Sequence, residues 1–138
     1  MNTLIGKEYK FEAGHQLWNA DYSIKENRRI FGKCVNPHGH SYTLVVEIGG
    51  SVKDGMVMNY YAIDQIVDPI VDYLDHTVLN DLPEFEGVLT TAENIAAYIF
   101  RMVVGILAAN VDTEQLPTVY LKSVTVRETV KTFARVEA

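Results

Sequence analysis

Two runs of period-two alternation carry histidines at their ends, and they commit this chain to a sheet. Ile5, Tyr9, Phe11, Ala13 and His15 hold odd positions, broken only by Lys7. His38, His40, Tyr42, Leu44, Val46 and Ile48 hold even positions of a second run. Successive side chains point to opposite faces of a strand, so each run presents one apolar face. Both imidazoles of His38-Gly39-His40 therefore share a face, and Gly39 adds no bulk between them. His15 closes the same kind of face on what should be a neighbouring strand. Three neutral imidazoles leave the fourth tetrahedral position of zinc open, the catalytic rather than the structural pattern. The plain alternative is three unrelated core or surface histidines.

The rest of the chain supplies helices. Between the runs lies a polar stretch from Gln16 to about Asn36, long for a loop in a compact domain, with Lys25, Arg28, Arg29 and Lys33 in it. It reads as a functional loop or a solvated excursion with a helical turn near Ser23. Met56-Val57-Met58 reads as a short extra pairing segment. Ile63, Ile66, Val67, Ile70, Val71 and Leu74 follow helical three-and-four spacing, with Pro69 inside as a kink or restart. Thr90 and Glu93 form a capping box that opens a second helix, whose buried face should hold Ile95, Ile99, Met102, Val103, Ile106 and Leu107. Pro117 marks the exit into strands at about Val119–Glu128 and Lys131–Val136. The order is ββααββ: one α+β domain spanning residues 1–138, a four-stranded antiparallel sheet with two helices on one face. Such an open sheet has exposed edges, and pairing with neighbouring subunits is expected.

Composition narrows the partners. Twelve Lys and Arg against eighteen Asp and Glu give a net charge of -6, which argues against nucleic acid or an anionic membrane as the main partner. A single cysteine allows no intrachain disulfide. The N-terminal residues lack a signal-peptide pattern, and the apolar stretch Ile95–Ala109 reads as too short to span a bilayer. A cytoplasmic location is expected.

Three further features each have two readings. Cys34 is an inert small hydrophobe, or a thiolate stabilised by Lys33 and a metal and able to take a proton. Asp75-His76 is a helix C-terminal histidine favoured by the dipole, or an imidazole tuned near neutral pH beside a carboxylate. Neighbouring helical side chains point apart, which leaves direct contact between them open. Glu128 is an exposed strand-end charge, or a carboxylate that accepts two hydrogen bonds from a guanidine-like ring edge.

Together the segments Phe11-Glu12-Ala13-Gly14-His15, Phe31-Gly32-Lys33-Cys34, His38-Gly39-His40, Gly55-Met56-Val57-Met58-Asn59, Leu74-Asp75-His76, Thr91-Ala92-Glu93-Asn94 and Val126-Arg127-Glu128-Thr129 resemble one family. It is that of the 6-pyruvoyl-tetrahydropterin synthases and the 6-carboxy-tetrahydropterin synthases of the queuosine pathway. The resemblance implies a tunnelling fold, in which three subunits close their sheets into a barrel and two trimers form a homohexamer with active sites between subunits. It implies a zinc-dependent lyase acting on 7,8-dihydroneopterin triphosphate. Zinc would sit on His15, His38 and His40. Cys34 would be the general base, and His76, supported by Asp75, a proton relay. Glu128 would anchor the pterin ring, with Thr91 and Glu93 near its pocket. The three residues between Cys34 and His38 match the carboxy-forming branch, whereas Phe31-Gly32-Lys33-Cys34 and Gly55-Met56-Val57-Met58-Asn59 are similar to the pyruvoyl branch, so the product stays open between them. The proline usual before the Thr-x-Glu-Asn segment is Thr90 here. Retention of Cys34 argues against the relatives that carry glutamate there and serve folate synthesis. A rival from another class is a zinc-stabilised pterin-binding assembly module without catalysis. A zinc hydrolase ranks last, because no His-Glu-x-x-His pattern is present.

Overall fold

A computed structural model of the chain describes residues 1–110 and 119–138. Pro117 falls outside them. The elements are β1 (Thr3–His15), α1 (Ile24–Phe31), β2 (His38–Gly50), α2 (Tyr60–Leu74), β3 (Thr77–Val78), α3 (Ala92–Asn110), β4 (Tyr120–Arg127) and β5 (Phe133–Glu137). The sheet runs β3-β1-β2-β4-β5. The α+β class holds, but the sheet has five strands rather than four and is mixed rather than wholly antiparallel. Among the described residues three α-helices stand where two were expected, so the simple ββααββ order does not hold.

Local chemistry explains both additions. Ser23 caps α1, its hydroxyl accepting the Glu26 N–H at 3.1 Å. Its apolar residues, Ile24, Ile30 and Phe31, stay exposed or half-buried. It is anchored by the buried amide of Asn27, which donates to the carbonyls of Asn19, Tyr22 and Ser23. Three apolar residues in eight positions are too short a run for the helical period to stand out. β3 is only two residues long, too short for any period to show. It forms because His76 adopts φ 58° after α2 and sends its backbone N–H to the Glu12 carbonyl at 2.6 Å. That turn brings Thr77 and Val78 parallel to Ala13 and Gly14.

The central pairing follows from the two alternating runs. β1 and β2 are antiparallel in unbroken register from Thr3 opposite Gly50 to His15 opposite His38. Their apolar faces coincide, so Phe11 stacks on Tyr42 with ring centroids 4.8 Å apart. Leu44, Val46 and Ile48 continue that buried face, and β4 adds Val124 and Val126. Both long helices cover it. Ile63, Ile66, Val67, Ile70 and Leu74 of α2, with Ile95, Ile99, Val103 and Leu107 of α3, complete one core. Met102, expected inside, lies on the rim and is 38% exposed.

Helix α2 runs through Pro69 without a break. Pro69 and Gln65, the residue whose carbonyl would have accepted a Pro69 N–H, both lie on the solvent side, where water can serve that carbonyl. Met56 forms a single bridge to Lys53, and Val57 and Met58 are buried in the core. Because α3 begins at Ala92, its window Ala92–Ala109 is long and apolar enough to cross a membrane, with mean hydropathy 1.5. The expectation that this stretch is too short is therefore corrected. The helix spends its apolar face on the sheet, packing against β4, β5 and α2.

Candidate functional site

The three histidines converge at one end of the sheet. The register sets His15 opposite His38 and His40 opposite Ala13, all on the core side. Ring centroids are separated by 4.5 Å for His15–His38, 5.2 Å for His15–His40 and 5.1 Å for His38–His40. One nitrogen from each ring lies within 4.8 Å of the other two. Zinc–nitrogen bonds of about 2.0–2.1 Å in a tetrahedron need nitrogens about 3.4 Å apart, so small ring movements close the set. Gly39 lets the strands approach here, since a Cβ at that position would meet the Ala13 carbonyl at 3.2 Å.

Hydrogen bonds determine which nitrogen is free. His15 Nδ1–H donates to the Thr90 carbonyl at 2.8 Å, with the Thr90 hydroxyl at 3.2 Å. His38 Nδ1–H donates to the Asn36 carbonyl at 2.7 Å. In a neutral ring each of these bonds leaves Nε2 as a bare acceptor. Among the described residues the buried side-chain polar atoms with no partner are His15 Nε2, His40 Nε2 and the Tyr42 hydroxyl. Buried polar atoms are normally paired, so two orphan imidazole nitrogens within one three-histidine cluster fit a divalent metal. Burial also pushes the His15 pKa down to about 4, against a weaker raising effect of its bond to Thr90. The His40 pKa is lowered for the same first reason. Both effects favour the neutral, metal-binding ring.

A pocket of about 260 Å³ is lined by Leu17, Thr91, Ala92, Glu93, Glu128, Thr132 and Phe133. It gathers the three residues Thr91, Glu93 and Glu128 from two distant segments. Glu128 lies just beyond β4, and its carboxylate is 3.8 Å from His40 Nε2. The phenol of Tyr42 packs beside His40, with centroids 5.3 Å apart, and its pKa is raised first by burial and then by Glu128. Thr91 caps α3, accepting the Asn94 N–H at 3.3 Å, so the capping residue is Thr91 and not Thr90. Thr90 instead turns inward, fully buried, to hold His15 and to donate to the Gln16 carbonyl at 3.2 Å. Sequence reasoning missed this role. The one available signal was the pair of threonines before Ala92, only one of which can cap.

The remaining groups are arranged differently. Asp75 and His76 do touch: His76 Nδ1–H donates to Asp75 Oδ2 at 2.8 Å. Both lie beyond the end of α2, where the positive φ of His76 folds its ring back. The other Asp75 oxygen accepts the Glu12 N–H at 2.8 Å, and these bonds, the backbone one first, hold its carboxyl below the usual range. His76 lines an open depression of about 450 Å³ with Glu12, Gly14, Gly39, His40, Ser41 and Val78. That depression includes neither Cys34 nor Glu128. Cys34 is exposed, in the single turn Gly32–Val35, and its carbonyl accepts the Leu17 N–H at 2.8 Å. Lys25, Arg28 and Lys33 are also exposed, and Arg29 pairs with Glu26.

A mixed sheet with two long helices on one face, and three converging imidazoles that could hold a metal beside a carboxylate-lined pocket, define an α+β fold with a candidate metal site. Within that class the chain belongs to the 6-pyruvoyl tetrahydropterin synthase family, which matches residues 4–138. It is 44% identical over 101 residues to the 6-pyruvoyl tetrahydrobiopterin synthase of Dictyostelium discoideum, covering 70% of this chain and 75% of the relative. It is 36% identical over 104 residues to the 6-carboxy-5,6,7,8-tetrahydropterin synthase of Synechocystis, covering 70% and 71%. The structure of Caenorhabditis elegans 6-pyruvoyl tetrahydropterin synthase superposes with a TM-score of 0.86 at 28% identity, covering 100% of this chain and 96% of that one. These relatives are enzymes, and this chain is an enzyme of their family.

Proposed function

We propose that the chain is a zinc-dependent lyase acting on 7,8-dihydroneopterin triphosphate. It eliminates triphosphate to give 6-pyruvoyl-tetrahydropterin or, with water and side-chain cleavage, 6-carboxy-tetrahydropterin and acetaldehyde. The observation that carries this reading is the convergence of His15, His38 and His40 with two buried nitrogens lacking partners. Bound there, zinc supplies Lewis acidity toward the substrate's side-chain hydroxyls. Glu128 accepts two hydrogen bonds from the guanidine-like edge of the pterin, and Thr91 and Glu93 line the same pocket. Cys34 acts as the general base toward the substrate carbon, and His76, oriented by Asp75, carries protons to and from the side chain.

Two observations support an assembly. The depression lined by His76 includes neither Cys34 nor Glu128, and β5 and β3 form the two edges of the sheet. Edge pairing between copies, as a homohexamer of two trimers, would bring a neighbour's residues to each site. We place the enzyme in the cytoplasm, in tetrahydropterin or queuosine biosynthesis.

The test is incubation of purified protein with 7,8-dihydroneopterin triphosphate, followed by mass analysis. Wild-type protein should release triphosphate and one of the two pterin products, and hold about one zinc per chain. Cys34→Ala should keep ring binding and zinc while losing about 10²–10⁴-fold in turnover, the range for a general base. Equal ring binding with no turnover by either protein would favour a non-catalytic pterin-binding module.

A further inference from the structure

The hydroxyl of Tyr42 has no assigned role and no partner. Tyr42 is fully buried, on the same strand face as His38 and His40. Its ring is wedged between Phe11, stacked at 4.8 Å, and the edges of His40 at 5.3 Å and His15 at 6.1 Å. The three orphan buried atoms among the described residues are therefore one cluster: two metal-facing nitrogens and this hydroxyl. A phenol at neutral pH is protonated, so what the group lacks is an acceptor. Leaving it unpaired carries a desolvation cost, whereas phenylalanine at the same place would fill the same space without that cost. A tyrosine there is best explained by a visitor that supplies the acceptor. The Glu128 carboxylate lies 3.8 Å from His40 Nε2 and also lines the 260 Å³ pocket, which sets that pocket beside the histidine that Tyr42 packs against.

We propose that Tyr42 is a positioning residue whose O–H donates to an oxygen of the small molecule seated against the histidine cluster: a hydroxyl oxygen of the bound pterin side chain, replaced by water in the resting protein. This rests on the pterin reading above and assigns it a further contact. The rival role is purely structural, a tyrosine whose hydroxyl serves a permanently buried water.

The experiment compares wild type and Tyr42→Phe, both zinc-loaded, with neopterin as a probe that carries the ring and the side-chain hydroxyls but no phosphate. Equilibrium affinity is read by fluorescence quenching, zinc content by metal analysis, and the electronic spectrum after replacing zinc with cobalt(II). Because the ring stays, Tyr42→Phe should fold and bind one metal per chain. Neopterin affinity should fall about tenfold, the loss of one buried hydrogen bond. The shift of the cobalt bands on adding neopterin should differ between the two proteins. A control with 6-methylpterin, which lacks the hydroxylated side chain, should bind both proteins equally. Equal neopterin affinity for both proteins, with the same cobalt shift, would overturn the proposal. So would a variant that loses 6-methylpterin affinity as much as neopterin affinity, because the hydroxyl would then act on the ring or the fold. Failure of wild type itself to bind metal or either pterin would sink the underlying function as well, and is recognisable as such.

Discussion

The histidine end of the sheet and the Asp75–His76 corner are built on opposite principles. At the first, one chain brings everything together. Register alone sets His15 against His38, Thr90 and Asn36 orient two of the rings, and His15 is only 2% exposed. His15 Nε2 and His40 Nε2 are left without partners, which fits a divalent metal. At the second, the hydrogen bonds are already complete. Asp75 is held by Glu12 and in turn holds His76, yet the His76 side chain is 79% exposed and faces an open depression. A proton relay needs a substrate within hydrogen-bond reach, and this corner has no enclosed cavity of its own. The difference teaches that the histidine cluster is a property of the folded chain, whereas the Asp75–His76 pair, in the role proposed for it, needs something docked against it.

The comparison breaks most visibly at His38. If the metal end is self-contained, His38→Ala should reduce bound zinc well below one per chain and turnover by at least about 10³-fold, since two imidazoles make a poor zinc site. The Asp75–His76 hydrogen bonds should be untouched, and His76 should keep its wild-type proton chemical shifts. Full zinc occupancy in this variant would refute the ligand assignment.

A complementation experiment sharpens the other half. Cys34→Ala and His76→Ala should each be nearly inactive alone. If each site draws these two residues from different copies, mixing the unfolded variants in equal amounts and refolding them together restores intact sites at random. About a quarter of sites then carry both residues, and activity should recover to about that fraction. No recovery above the single variants, with assembly verified by sedimentation, would show that one chain supplies both residues.

The same contrast explains what could be read from the chain in advance. Period-two alternation located β1 and β2 and put all three histidines on the inner face, because burial of one face enforces that register. Helical spacing located α2 and the buried core of α3. What escaped were features set by single hydrogen bonds. α1 depends on Ser23 and the buried amide of Asn27, and β3 on one backbone bond from His76. The contact between Asp75 and His76 was left open because helical geometry separates neighbours, and it exists because His76 has left the helix at φ 58°. Thr91 and Glu93 as pocket residues rest on the resemblance alone, whereas Glu128 also stands out as a strand-end carboxylate; their common pocket depends on a tertiary approach of α3 to the end of β4 that no local pattern records.

The smallest expected effect separates two adjacent threonines. Thr90→Val removes the hydroxyl 3.2 Å from His15 Nδ1 but keeps the carbonyl that accepts at 2.8 Å. It also deletes a donor to the Gln16 carbonyl, which still receives the Asn80 amide at 2.9 Å. Losing an orienting partner of a metal ligand typically lowers affinity about 10–100-fold. Here the stronger of two partners survives, so zinc affinity measured by competition with a chelator should fall by less than about tenfold. Stability should fall by about 1 kcal/mol. Thr91→Ala should cost a similar ~1 kcal/mol through loss of the α3 cap, yet leave zinc affinity unchanged. Two neighbours of equal stability cost would then differ only in the metal. If Thr91→Ala weakened zinc as much as Thr90→Val did, the effect would arise from a shifted helix α3, and the histidine end would depend on its surroundings as much as the His76 corner does.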